Sequence, residues 1–468
     1  MGFVCGMKIK RFLIVAIFLF TSLSCSLLAR AGEQFSPTDT PVPTRTSNPL
    51  VPTPDVYIPP QCEGQPVATL APEFTSAQPT PSLEPNPPLT TEEQLRVLDE
   101  LVAQINEVYL YPDYNGVDWD AVVADYRARV EQGLDTETFY TEMENLVFEL
   151  GDEHSQFESP ARVAQSEREL SGQNDYVGIG ALILPQIEKG QVTILAIFPD
   201  SSAEHGGLKP HDVVLAADGI PIVEGDEAHT ERVRGPECSA VVLTVQSPGD
   251  APREVMFIRN RITASLPIDA RLVTTSDGSR VGYIFLPTFF DETIPGKVRQ
   301  ALEEFGPLDG LILDNRMNGG GSSAVVEPIL SHFAEGSLGQ FVSRNEIRPL
   351  EITADPVHNS LTVPLVIMVS EETVSFGEIF SGLLQDTGRA KLAGQATLGN
   401  VETLSGHSFS DGSRAWIAEE RFDPPVSHAD WERDGIQPDL EAHADWDTFT
   451  FESDPGIAAA LILLGHGQ

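Results

Sequence analysis

Apolar positions set the first expectations. Leu95, Leu98, Leu101, Val102 and Ile105 recur at three- and four-residue spacing behind Thr91, Glu92 and Glu93, which predicts a helix. Two more helices are predicted near 118–132 and 135–150, the last ended by Gly151. Residues 172–262 read differently, as a small β-rich module. There, 176–181 alternates small and apolar residues ahead of a strand, and 239–246 is another β-type run. Beyond 263, apolar runs at 281–286, 311–314 and 365–369 alternate with helical segments at 292–305, 323–333 and 376–385. That order predicts a mostly parallel sheet with helical cover, an α/β fold. The closing segment, 446–468, holds an apolar stretch at 457–464 and predicts a terminal helix.

The N-terminal part has no such pattern. Residues 32–89 are rich in Pro, Thr and Ser, bury too little apolar surface to fold, and predict an extended stalk. Ahead of them, Lys8, Lys10 and Arg11 precede an apolar run at 12–20 and then Ala29-Arg30-Ala31, the layout of a secretory signal peptide. Leu23-Ser24-Cys25 partly matches a lipoprotein processing site, with Ser22 where Leu is usual, so lipid attachment at Cys25 is the rival reading. No later segment is long and apolar enough to span a membrane. Both readings place the mature chain outside the cytoplasm, secreted or held at the outer face of the membrane. Of four cysteines, Cys62 and Cys238 then remain, either as a disulfide or as two separate thiols.

Composition narrows the partners. The 468 residues carry a net charge of −41, which would repel nucleic acid, and 41% are hydrophobic, enough for buried cores. The cysteines show no metal-ligand spacing, and no metal or cofactor is expected. Protein or peptide substrates are the expected partners, with membrane contact only through a lipid at Cys25.

One polar position draws attention. Ser375 follows the 365–369 run and begins the amphipathic segment, so its hydroxyl lies at the mouth of the sheet and at the positive end of a helix. Ser375 and Glu378 also spell S-x-x-E, and a helix cap explains that pair without chemistry. Residues 314–321, Asp-Asn-Arg-Met-Asn-Gly-Gly-Gly, follow another strand. Glycines there either let a backbone N–H approach a developing oxyanion or simply permit a tight turn.

These stretches resemble the C-terminal processing, or tail-specific, peptidases of the S41 serine protease family. Glu378-Ile379, Gly382-Leu383-Leu384-Gln385-Asp386 and Gly388-Arg389-Ala390 follow that family's nucleophile helix, which implies that Ser375 is the nucleophile. Residues 314–321 resemble its Asp-Leu-Arg-x-Asn-x-Gly-Gly loop. The resemblance implies an oxyanion hole with one donor from Gly320 or Gly321 and a second from the Phe376 amide. The family's lysine base lies in a Phe-Gly-Lys-Gly stretch. Here Leu398-Gly399-Asn400-Val401 stands in its place, and asparagine cannot act as a general base. Asn400 is left either as a hydrogen-bond donor to substrate or oxyanion or as a turn residue.

Related tricorn-type proteases use a His oriented by a Glu. Gly151-Asp152-Glu153-His154-Ser155 resembles their Gly-x-x-His-(Ser/Ala/Thr) stretch. Glu432-Arg433-Asp434-Gly435-Ile436-Gln437-Pro438-Asp439 resembles their Glu-Asn-x-Gly-Val-x-Pro-Asp, with Arg433 replacing the Asn. A Ser375–His154–Glu432 triad is therefore expected, with His407 and His428 as rival bases outside any such motif.

The run Gly-Leu-Lys-Pro-His-Asp-Val-Val at 207–214, with 176–181, resembles a PDZ domain of bacterial proteases. That implies capture of a peptide's C-terminal carboxylate by amides at Val177, Gly178, Ile179 and Gly180. A β-sandwich whose glycines serve only turns is the plainer reading. The expected organisation is a signal peptide at 1–31, a stalk at 32–89, a helical segment at 90–171 and an inserted PDZ domain at 172–262. A crotonase/ClpP-like βα spiral core at 263–468 completes it. The expected function is an exported serine endopeptidase acting on proteins through an acyl-enzyme. The alternative is a catalytically inactive pseudoprotease or a PDZ-bearing surface scaffold.

Overall fold

The computed structural model describes residues 56–64, 86–152, 154–170, 176–225, 227–262 and 265–466. The signal segment with Cys25, and the stalk residues 32–55 and 65–85, lie outside them.

The central sheet explains why the runs beyond 263 have no polar face. Its strands lie in the order Ala270–Thr274, Arg280–Phe285, Gly310–Asp314, Leu365–Val369, Lys391–Gly394 and Leu440–Glu441. The first pairing is antiparallel and the other four are parallel. Side chains alternate between the faces. Ile284, Leu311, Leu313, Leu365, Ile367 and Val369 meet the helices Ile294–Phe305, Ser323–Leu330 and Phe376–Asp386. Tyr283, Phe285, Ile312, Val366 and Met368 face the helix Pro455–Leu464 with Trp446 and Phe449. A parallel sheet covered on both faces is the α/β arrangement expected. The helix expected to reach 333 stops at Leu330, where Pro328 withholds a backbone donor from the last turn.

A second sheet leaves no clear apolar period. Gln156–Glu158, Arg414–Asp423, Gly336–Val342 and Ile347–Ile352 pair in that order, and Thr403–Ser408 also pairs with Arg414–Asp423. Charged pairs such as Arg348 and Glu420 interrupt its strands, which tertiary packing rather than alternation defines. The helices Thr91–Val108, Trp119–Glu131 and Thr136–Phe148 pack Leu101, Phe139 and Met143 into one cluster with Phe157, Ala415 and Ile417 of this sheet. Thr90, Asp118 and Asp135 cap the three helices through their side chains. The third ends at Phe148, and Gly151, at φ 67°, turns the chain toward Gln156–Glu158. His154 sits on that turn.

Residues 176–262 build a third sheet in the order Arg253–Ile258, Ala240–Gln246, Val213–Ala217, Gln191–Ile197, Ala181–Gln186. Tyr176–Gly178 pairs with Asn260–Ile262 and ties the two ends of the module together. Leu182 and Leu195 join the face of the central sheet that holds Tyr283 and Trp446. Part of the Pro/Thr-rich stretch differs from the expected free stalk. Residues 56–64 lie on this module, where Cys62 is disulfide-bonded to Cys238 and packs with Val56, Ala240 and Ile258. The cross-link anchors a segment whose composition alone would leave it unfolded.

Candidate active site

Ser375 holds a backbone conformation that few side-chain-bearing residues adopt. Its φ of 56° and ψ of −124° correspond to about 1–3 kcal/mol of strain. The adjoining loop at 314–321 fixes that turn. Val374 N–H donates to the Asn318 carbonyl at 3.0 Å, and Asn315 Nδ2 donates to the Gly377 carbonyl at 2.9 Å. The loop is anchored in turn by buried Arg316, which bridges Asp314 at 2.7 Å and Asp454 at 2.6 Å.

The two glycines are required by close approach. A Cβ on Gly320 would lie 2.8 Å from the Ser375 Cβ, and one on Gly321 would lie 2.0 Å from the Phe289 carbonyl oxygen. Gly320 N–H donates to Asn318 Oδ1 at 3.0 Å and is already satisfied. The N–H groups of Gly321 and Phe376 have no hydrogen-bond partner among the described residues. Phe376 opens its helix, where N–H groups are unpaired and the dipole is positive.

His154 and Glu432 meet across a sequence gap of 278 residues, with Nε2 2.8 Å from Glu432 Oε1. Asp152 shapes the histidine turn: its Oδ1 accepts from His154 N–H at 3.0 Å and Ser155 N–H at 2.8 Å. Ser155 Oγ accepts from Ala418 N–H at 3.0 Å, which pins the turn to the second sheet. Burial works to lower the His154 pKa, but the Glu432 hydrogen bond and charge win and hold it above the ordinary 6.5. Burial likewise works to raise Glu432, and the imidazole with the Val401 and Glu402 N–H groups holds it below the ordinary 4.5.

The stretch 397–402 joins the two halves. Gly399 N–H donates to Glu378 Oε1 at 3.0 Å, and Glu378 Oε2 accepts from Ser375 N–H at 3.2 Å. Val401 N–H donates to Glu432 Oε2 at 2.7 Å. Burial pushes Glu378 up to about 7, against the donors that face it. Asn400 lies between these two anchors, half-buried. Ser375 Oγ and His154 are not hydrogen-bonded to each other.

The amides expected to take a peptide carboxylate lie beside the third sheet, in the short pair of Tyr176–Gly178 with Asn260–Ile262 and in the two residues that follow it. Val177 and Gly178 pair with Arg261 and Asn260. The carbonyls of Ile179 and Gly180 accept from Ala203 at 2.8 Å and Phe198 at 3.0 Å, while their own N–H groups have no partner among the described residues.

A model of peptidase family S41 matches residues 280–442, and one of the tricorn protease C1 domain matches residues 90–145. The carboxyl-terminal-processing protease of Synechocystis sp. is 32% identical over 386 residues, spanning 81% of this chain and 88% of that protein. The chain belongs to peptidase family S41. It is a serine-type peptidase of that family. The chloroplastic C-terminal processing peptidase of Tetradesmus obliquus is 28% identical over 369 residues, covering 75% of this chain and 77% of that one. Among solved structures, the photosystem II D1 C-terminal processing protease shares the fold at a TM-score of 0.55 and 23% identity. That likeness covers 80% of this chain and 98% of the other.

The S41 match includes Ser375 and Glu432, whereas His154 lies outside both matched spans. The rival histidines of this S41 chain are engaged elsewhere: His407 with Glu419, and exposed His428 with Asp423 at 2.9 Å. Two residues beside the His154–Glu432 pair lie outside every motif. Tyr111, just past the first helix, donates its phenol to Glu402, which directly follows the Asn400-Val401 pair. The one sequence signal was a charged residue set in that tight stretch.

Proposed function

We propose that this S41 peptidase is an exported serine endopeptidase that cleaves protein substrates through an acyl-enzyme. Ser375 is the nucleophile, His154 the general base, and Glu432 the residue that orients the imidazole. The 2.8 Å contact between His154 Nε2 and Glu432 carries the reading, on a chain where Asn400 stands in place of a lysine base. With Nε2–H donated to Glu432, Nδ1 keeps the lone pair that takes the Ser375 proton. Ser375 Oγ attacks the scissile carbonyl carbon as substrate brings the two halves into hydrogen-bond range. The Gly321 and Phe376 N–H groups receive the oxyanion. His154 then protonates the leaving amine, and water repeats the sequence on the acyl ester.

Residues 172–262 serve as an inserted PDZ domain ahead of a crotonase-like core. Support comes from the unpaired Ile179 and Gly180 N–H groups beside the edge strand Ala181–Gln186. A substrate C-terminus binds there and extends the sheet. The signal pattern at 1–31 and the Cys62–Cys238 disulfide support export to an oxidising compartment.

Fluorophosphonate labelling of wild type, Ser375→Ala and His154→Ala between about pH 5 and 9 tests the site. Labelling that rises through neutrality and is lost in both variants is expected. Labelling that survives His154→Ala overturns the triad. The open Ser375–His154 contact favours the inactive, peptide-binding alternative, which a folded but unlabelled wild type would establish.

A further inference from the structure

Glu402 is a buried acid that the mechanism above leaves unused. It is 3% exposed. Its backbone N–H donates to Glu432 Oε2 at 3.3 Å, so it lies directly beside the acid that orients the base. Its two carboxyl oxygens differ. Oε1 accepts from the Tyr111 phenol, whereas Oε2 is buried without a hydrogen-bond partner. An anionic oxygen in that position lacks the donors that would replace lost water, and protonation removes the cost.

Two carboxyls that share a low-dielectric pocket do not both ionise freely. Glu432 keeps the charge, because His154 and the N–H groups of Val401 and Glu402 face it. Glu402 has one phenol. The groups around it are Glu432 from the helix Trp431–Asp434, His154 and Asp152 from the turn before Gln156–Glu158, and Tyr109 and Tyr111 beyond the first helix. His154 is the one group among these that becomes a cation.

We propose that Glu402 is a positioning residue for the base: held by Tyr111 against the His154–Glu432 pair, its carboxyl sets by its own ionisation how firmly His154 holds its proton. The proposal rests on the Ser375–His154–Glu432 reading. Burial and then the Glu432 charge push the Glu402 carboxyl up to about 7, within the range where the base must be freed. On the acid side of that value Glu402 is neutral and His154 feels the Glu432 and Asp152 carboxylates alone. On the alkaline side it feels Glu402 as well, and its imidazolium persists to higher pH. The site thus releases its base over a wider pH span than it would without the Glu402 carboxyl.

The test is the pH dependence of the fluorophosphonate labelling rate in wild type, Glu402→Gln and Tyr111→Phe, paired with NMR titration of the His154 ring in a Ser375→Ala background. Glu402→Gln is expected to move the midpoint of the rising limb toward acid by about half to one pH unit and to sharpen it to a single-proton step. The His154 ring titration moves by the same amount. Tyr111→Phe moves both in the same direction by less, because loss of the phenol keeps Glu402 neutral over a wider range. A purely structural role would lower rate or stability and leave both midpoints in place. Coincident midpoints for wild type and Glu402→Gln, with His154→Ala still inactive, overturn this proposal and leave the triad standing. Labelling that survives His154→Ala overturns both. If Glu402→Gln does not fold, Tyr111→Phe with an unmoved His154 titration overturns the proposal by itself.

Discussion

The Ser375 half of the site and the His154 half are built by different means. Backbone geometry dominates the first: a strained φ at Ser375, two glycines packed too closely for any Cβ, and a main-chain bond from Val374 to Asn318, backed by the Asn315 side chain on the Gly377 carbonyl. Side chains fix the second. His154, Asp152, Tyr111, Glu402 and Glu432 come from four separate stretches, and every hydrogen bond that joins them ends on a carboxylate, with His154, the Tyr111 phenol or a backbone N–H as the other partner. The first half should therefore be intolerant of added size. The second should tolerate small changes of shape and respond to charge.

The harshest challenge to that division is removal of the proposed base. His154→Ala and Glu432→Gln are each expected to lower turnover by about ten-thousandfold while the fold survives. Because the two act as a unit, the double variant should lose little more than either single one. Turnover measured on all three, with circular dichroism for the fold, checks this. A double variant that loses the product of the two single effects would mean that they do not act as a unit.

Gly321→Ala is the matching challenge to the other half. Its Cβ would meet the Phe289 carbonyl at 2.0 Å, so the loop must move and the proposed oxyanion donor with it. The labelling rate should fall by about a hundred- to a thousandfold at every pH. The midpoint of the pH profile should stay where it is. A shifted midpoint would show that the loop also governs the titrating half.

Stability and activity should run in opposite directions with pH. His154 has a raised pKa in the fold, so its contribution is full below 6.5 and is lost as pH climbs through the folded value. Glu432 has a lowered one, so its contribution is full above 4.5 and is lost as pH falls through the folded value. The pair stabilises most between those limits, where His154 is protonated and cannot act as base. The melting-temperature difference between wild type and Glu432→Gln should thus peak on the acid side of neutrality and shrink as labelling rises. A difference that is flat with pH would mean that the pair is not ionised in the fold.

Legibility in the sequence follows the same division. The apolar runs at 365–369 and 311–314 and the segment after Ser375 are local signals, and the structure places a strand or helix at each. The central sheet was readable because both faces are apolar. The second sheet was not, because strands such as Ile347–Ile352 are mostly exposed and owe their place to partners remote in sequence. His154 and Glu432 could be named from short motifs, and the structure joins them. Tyr111 and Glu402 lie 291 residues apart, and only the packing of the helical segment onto the second sheet brings them together.

The smallest expected effect on catalysis comes from a third place. The disulfide joins residues 176 apart, and its cluster of Val56, Ala240, Met256 and Ile258 includes no residue of either half. Its loss frees residues 56–64 and loosens the module, costing about 2–4 kcal/mol by removing a constraint on the unfolded chain. Cys62→Ser should therefore melt at a lower temperature, while small-probe labelling at Ser375 keeps its wild-type rate and pH midpoint. Melting curves and labelling of the same sample, with and without reductant, decide it. If labelling falls with the disulfide, the module and both halves share one constraint. Leu182 and Leu195, packed beside Tyr283 and Trp446, would be its route, because Tyr283 donates to Asp314 at the root of the glycine loop at 2.8 Å.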